Sequence, residues 1–160
     1  MPRIEVVERV HAPIERVFDL ARSIDLHIRS EHGRGEEAIA GRTSGLMELR
    51  ETTTFWARHF GLRRSLTSKM VAMDRPRHFR DSMVSGTFQR FDHDHYFEAD
   101  GEFTNMRDVF EYTSPLGALG GLADALFLRN YMKALVEERT YWIKRVAESE
   151  GEWRQYLTEA

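Results

Sequence analysis

The 160-residue sequence contains no cysteine. That excludes disulfides, thiolate nucleophiles and cysteine-ligated metals, and fits a reducing compartment. No apolar run approaches the ~20 residues that a membrane-spanning helix needs. Basic charge is not in excess: 23 Lys and Arg stand against 26 Asp and Glu, for a net charge of −3 and a pI near 6.2. A general nucleic-acid footprint is therefore not expected. Met1-Pro2-Arg3-Ile4-Glu5 lacks the hydrophobic core of a signal peptide and reads directly as a strand. Repeats, low-complexity tracts and linkers are also missing. Gly41-Arg42-Thr43-Ser44-Gly45 is not a phosphate loop, because no lysine follows and no helix opens after it. No nucleophile-elbow pattern supports acyl transfer. These absences leave the expectation of one cytoplasmic domain over 1–150 with a short tail, 151–160, and neither nucleic-acid binding nor membrane insertion. Its 41% hydrophobic content is enough for a substantial core.

What is present is organised around a long C-terminal helix, expected over 118–148. Leu128, Met132, Leu135, Trp142 and Val146 recur at steps of three and four, the spacing of one buried helical face. Val136 and Ile143 widen that stripe, while Lys133, Glu137, Lys144 and Glu148 lie opposite. Arg139 interrupts the apolar line, where a solvated arginine is out of place. Upstream, Leu119, Leu122, Ala123, Leu126 and Phe127 occupy another face. Covering such a helix on several sides calls for a curved sheet that grips it and leaves a hollow between.

Ile4, Val6 and Val10 alternate with Arg3, Glu5 and Arg9 in a half-buried first strand. Glu8 breaks its inward parity and marks a cavity edge or a bulge. Pro13 suits a first helical position, opening a short helix with Ile14, Val17, Phe18 and Ala21 on its apolar side. A second short helix follows over 24–30, the two forming a V for the end of the long helix. From 38 to 113 the pattern changes to strands, over 48–60, 62–73, 78–85, 88–100 and 103–113, punctuated by glycines and Pro76 at hairpin spacing. Consecutive strands with short turns make an antiparallel meander with one wet face. Arginines gather in its middle strands and Asp92, Asp94, Glu98 and Asp100 in the next, which reads as cross-strand charge pairing. Gly117, Gly120 and Gly121 introduce the long helix, as a tight turn or a lid hinge. Trp153, Tyr156 and Leu157 form a small amphipathic tail that docks or frays.

In the strand around 91–99, one parity reads Phe91, His93, His95, Phe97 and the other Asp92, Asp94, Tyr96, Glu98. The acidic parity takes the wet side and turns both histidines inward. Two imidazoles so placed are close enough to share a metal or to pass a proton. His59, on the Phe55 and Ala57 parity of an earlier strand, is positioned to join them. A third ligand is otherwise missing, and Asp81 or Asp108 would have to supply it, so no metal or other cofactor is assigned. The simpler reading makes the histidines neutral, hydrogen-bonded core residues. Arg139 pairs with Asp81 or Asp108, or anchors an anionic head group. Parity puts Phe55, Met70, Met83, Phe91, Phe97, Phe110 and Tyr112 of the sheet toward the helix, with Leu122, Leu126, Phe127, Met132 and Leu135 facing them. Met70 is the least secure, because the parity of 62–73 is ambiguous. Aromatics and methionines suit an adaptable apolar pocket and equally a solid core.

The order of strand, two short helices, six-strand meander and long helix is that of the helix-grip fold. In that order the chain resembles the SRPBCC superfamily, which includes START lipid-transfer domains, birch-pollen-type allergens and polyketide cyclase/dehydratases. The resemblance covers nearly the whole chain. It is most specific in Ala40-Gly41-Arg42-Thr43-Ser44-Gly45, Ala57-Arg58-His59-Phe60-Gly61, the stretch 83–97 and Ser114-Pro115-Leu116-Gly117. These are similar to a bacterial ligand-binding or cyclase/dehydrase-like subgroup, sometimes found beside a nucleotide-sugar epimerase-like domain. The resemblance implies an α+β fold with a seven-stranded curved antiparallel sheet wrapped around the C-terminal helix and two short helices after strand 1. It also implies a cavity for a small apolar or lipid-like molecule, whose polar atoms His59, His93, His95 and Arg139 would orient. The alternative is a cyclase, aromatase or dehydratase in which His93 or His95 moves protons. A second copy of the chain and an epimerase-like protein are the macromolecular partners considered.

Overall fold

The computed structural model describes residues 2–114 and 127–158. The expected helix start over 118–126, the hinge glycines, Leu122 and Leu126 lie outside the described residues. Strand β1 (Arg3–Val10) leads into helices α1 (Ile14–Ala21) and α2 (Ile24–Ser30). The meander β2 (Glu37–Gly41), β3 (Thr52–His59), β4 (Leu62–Asp74), β5 (His78–Ser85), β6 (Arg90–Asp100) and β7 (Phe103–Thr113) follows, and then α3 (Arg129–Ala147). All pairings are antiparallel, in the order β1-β7-β6-β5-β4-β3-β2, so the first strand closes beside the last. The fold is the expected helix grip. Pro13 caps α1 from outside (φ −60°, ψ 145°) and does not occupy its first turn.

Sheet curvature has local causes. The register shifts between Thr67 and Ser68, and again between Met70 and Ala72. Bulges of this kind bend and twist a strand, and they are why simple alternation is ambiguous in β4. Met70 nevertheless turns inward and is 1% exposed. Phe60 (φ 54°) and Gly61 (φ 75°) make a two-residue β3–β4 turn, with both backbones in the left-handed region that matches strand twist. Gly41 ends β2 at φ 71°, where a Cβ would stand 2.1 Å from the carbonyl oxygen of Thr52. Gly41→Ala should therefore lower stability by more than about 1 kcal/mol in chemical denaturation, whereas alanine at Gly33, whose Cβ would meet nothing within 4 Å, should be nearly silent.

Both short helices pack on α3. The main core joins Val17, Phe18 and Leu20 of α1, Leu26 of α2, Phe79, Phe97 and Met106 of the sheet, and Ile143, Val146 and Ala147 of α3. The buried line of α3 is Val136, Thr140, Ile143, Val146 and Ala147, so the expected stripe is buried along its Val136, Ile143 and Val146 edge. Leu128, Met132, Leu135 and Trp142 are half-buried. The first three face a cavity, and Trp142 is covered by the guanidinium groups of Arg29 and Arg145 at 5.1 and 4.8 Å from its ring. Glu8 lies on the inward side of a regular β1 and meets Lys144 Nζ at 2.6 Å. No bulge is needed there. The tail docks on the body: Trp153, Tyr156 and Leu157 pack against the main core.

The acidic side of β6 is less wet than alternation suggests. Asp94 is buried because Arg80 Nε and Nη2 donate to it at 2.8 and 2.7 Å, while His78 Nε2 stands 2.7 Å away. Register explains the pairing, since Arg80 lies directly opposite Asp94.

Candidate functional site: a cavity walled by a buried histidine–aspartate network

Between α3 and the concave side of the sheet lies a cavity of about 420 Å³. Of the residues expected there, Phe55, Met70, Phe91 and Phe110 line it from the sheet, Met132 and Leu135 from α3, and His59, His93 and Arg139 supply polar groups. Inward parity does not place every side chain at the hollow. Phe97 fills the main core, edge-on to Phe18 at 5.4 Å. Tyr112 is packed with Ile4, Phe91 and Phe110 in a second core cluster, and Met83 rests half-buried against it. Phe127 is 59% exposed and contacts Phe60, ring to ring, at 5.3 Å. His95 is completely buried behind the wall. The cavity also has residues that sequence patterns missed: His27, Glu31, Glu36, Leu66, Ser68 and Tyr131. His27 carried a signal, three residues after Ile24 on the apolar side of α2. The two glutamates sit outside or at the ends of periodic elements and carried none.

The network behind the wall follows from register. On β6, His93 stands opposite Asp81 of β5, and His95 opposite Asp108 of β7. The close contacts run partly on the diagonal. His95 Nε2 is 3.1 Å from Asp81 Oδ1, and His95 Nδ1 is 2.5 Å from Asp108 Oδ1, whose distance to His93 Nε2 is 3.6 Å. Thr140 Oγ1 lies 3.0 Å from Asp108 Oδ2 and 2.8 Å from the carbonyl of Val136. Its one proton can serve only one of them at a time. Phe79 stacks on His95 with centroids 4.2 Å apart, and the two imidazole rings are 3.8 Å apart.

The environment sorts the protons. Burial pushes His93 down, reinforced by the charge of neighbouring His95. Burial also opposes charge on His95, but Asp108 and Asp81 outweigh it and raise its pKa. Burial would raise both carboxyls. The hydrogen bond from His95 and the nearby cations instead hold Asp81 at about 2, and His95 with His93 takes Asp108 well below the usual range. The carboxyls are held as carboxylates, His95 is biased toward imidazolium and His93 toward the neutral imidazole.

A pH dependence follows. The contribution of His95, whose folded pKa is raised, is complete below its unfolded value of about 6.5 and is lost as pH rises through the folded pKa. The contribution of His93, whose folded pKa is depressed, is complete above about 6.5 and is lost as pH falls through the folded pKa. Denaturant unfolding across pH 5–9 should show stability falling away on both sides of about pH 6.5. His93→Gln should reduce the loss on the acid side, leaving the share of His59, whose pKa burial also depresses, and should leave the alkaline side unchanged.

Neither of the expected partners, Asp81 or Asp108, pairs with Arg139. Asp81 and Asp108 are engaged by the histidines, and Arg139 makes no direct ion pair among the described residues. Its Nη2 donates to the carbonyl of Ala21 at 2.7 Å, near the end of α1, while its charge still acts on Asp81. His59 does not join the other histidines either. Its Nδ1 bonds the Tyr131 hydroxyl at 2.8 Å, and burial depresses its pKa. A second polar patch stands near it on the cavity lining: His27 Nε2 meets Glu36 at 2.6 Å, and Arg34 bridges Glu31 and Glu138 at 2.9 Å each. Burial raises the pKa of Glu31.

A seven-stranded curved sheet gripping a C-terminal helix, with two short helices after the first strand, defines the helix-grip fold of the birch-pollen-allergen type. The Thermus thermophilus protein TTHA0849 superposes with a TM-score of 0.74 at 20% identity, over 92% of this chain and all (100%) of that one. Ginseng major latex-like protein 151 from Panax ginseng gives 0.67 at 10% identity, over 92% and 98%. Protein CV1439 from Chromobacterium violaceum gives 0.66 at 11%, over 92% and 98%. No family model matches the sequence, and neither does any curated protein. Among the described residues, no helix is long and apolar enough to cross a membrane.

Proposed function

We propose that the protein binds a small apolar or amphipathic molecule in the cavity between α3 and the sheet. The observation that carries this reading is the hollow itself: about 420 Å³, walled by phenylalanines, methionines and leucines, with Arg139 and His93 at its edge. Pockets of this size and lining bury most of a drug-sized ligand, while a few polar groups fix its orientation. Arg139 spends one donor on Ala21 and keeps four N–H groups, which suits a carboxylate or carbonyl oxygen on the ligand. Arg139→Met should weaken binding of the anionic dye anilinonaphthalene sulfonate by about 10- to 100-fold, the worth of one charged hydrogen bond. A neutral apolar probe should lose little. Stability should fall by only about 1 kcal/mol, since one neutral acceptor is left unpaired. Equal loss for both probes would remove Arg139 from the reading.

A second reading, a cyclase- or dehydratase-type enzyme, rests on a different observation. His93 is kept neutral by burial and lies on the cavity wall beside Asp81. A neutral imidazole there can take a proton from a bound substrate. His95, behind the wall, would position it. In that case His93→Ala would remove turnover and leave affinity nearly intact. Loss of affinity without any turnover in the parent protein returns the case to binding.

A further inference from the structure

We propose that Asp81, His93 and His95 form a binding site for a divalent transition-metal ion, zinc or ferrous iron, in the wall of the cavity. Among the described residues they are the one group of three such side chains whose donor atoms all lie within 4.8 Å of one another. Metal–donor bonds of about 2.0–2.2 Å put neighbouring ligand atoms about 3 Å apart. His95 Nε2 and Asp81 Oδ1, at 3.1 Å, already have that spacing. His93, with donor atoms of the group up to 4.8 Å apart, has to close by up to about 1.7 Å, on a ring whose Nε2 is buried with Asp108 Oδ1 at 3.6 Å, beyond hydrogen-bond length. An imidazole nitrogen orphaned in an interior is costly, and coordination would satisfy it.

Two further features point the same way. Metal-ligating histidines carry a carboxylate on the other ring nitrogen, which fixes the tautomer and raises ligand basicity. Asp108 stands at Nδ1 of His95, and is itself held by Thr140. The site also opens on one side, because Asp81 and His93 line the cavity. Coordination positions there remain for water or a ligand oxygen, the arrangement of a reactive centre more than of a closed structural one. Two nitrogens and one oxygen, in a chain with no sulfur ligand other than methionine, suit zinc or ferrous iron. On binding, the ion takes the lone pair that holds the His95 proton. The ligands bind the ion in their deprotonated forms, so affinity rises with pH. None of this depends on what fills the rest of the cavity.

The test uses the untagged full chain, stripped with a chelator. It is titrated with Zn²⁺ by calorimetry and with Co²⁺ by visible absorption and proton NMR. The expected result is one ion per chain, with two hyperfine-shifted histidine rings in the Co²⁺ form. Asp81→Asn and His93→Gln should abolish binding, and Asp108→Asn should weaken it by about 10- to 100-fold. Absence of stoichiometric binding by the parent chain would overturn the proposal. So would binding that Asp81→Asn leaves unchanged. If a variant fails to fold, the parent Co²⁺ spectrum decides alone, since fewer than two shifted histidine rings contradicts the site.

Discussion

Asp108→Ala is expected to destabilise the protein by about 3 kcal/mol. Removing one member of a buried ion pair costs about 3–5 kcal/mol, because the charge left behind has lost both water and partner. His95 keeps its contact with Asp81 at 3.1 Å, which puts the loss at the lower end. For a domain of this size the midpoint of thermal unfolding should fall by roughly 6–12 °C. The comparison that makes the result specific is Asp108→Leu with His95→Phe. Buried charged pairs replaced by apolar groups of similar volume are often neutral, so this double variant should recover part of the loss, the remainder being the cost of leaving the Asp81 carboxylate without His95. If it is as unstable as the two single changes combined, the network is held together by something other than charge.

Ser68→Phe carries the second large effect, on binding. Ser68 is 5% exposed on β4 and contributes to the cavity lining. In a solid core, a phenylalanine at such a position would overpack and cost about 1–3 kcal/mol. With about 420 Å³ of space beside it, the ring enters the hollow and stability should change by less than about 1 kcal/mol. A ligand displaced from roughly 100 Å² of apolar wall loses about 2.5 kcal/mol at 25 cal/mol/Å², which approaches a hundredfold in Kd. Unchanged stability with a large drop in dye affinity is the expected pair of results. A large loss of stability would mean that the space is not there.

Much of this site was legible in the sequence, and the reasons are specific. A strand repeats every two residues, so the acidic partners of His93 and His95 were enough to turn both imidazoles inward, and the same parity turned Asp81 and Asp108 toward them. Parity gives direction without depth, however. Phe91 and Phe97 share a face of β6, yet one reaches the cavity and the other is sealed under Phe18. The same limit applies within the stripe of α3, where Val136 and Ile143 are buried while Leu128, Met132 and Leu135 face the cavity half-exposed. A hollow leaves half-exposed the side chains that a filled core would have covered. Arg139 was recognisable as anomalous, but its partner was not, because a backbone carbonyl such as that of Ala21 has no letter in the sequence. Glu31 and Glu36 could not be foreseen, since their place depends on how the chain turns between α2 and β2.

Native mass spectrometry of freshly purified protein tests most directly whether a hollow between α3 and the sheet takes up a small molecule. The expected result is a bound species of defined mass at one copy per chain, or, in a chain stripped of it, saturable uptake of one equivalent of an apolar dye that Ser68→Phe suppresses. A protein with only its own mass and no saturable dye binding would contradict it.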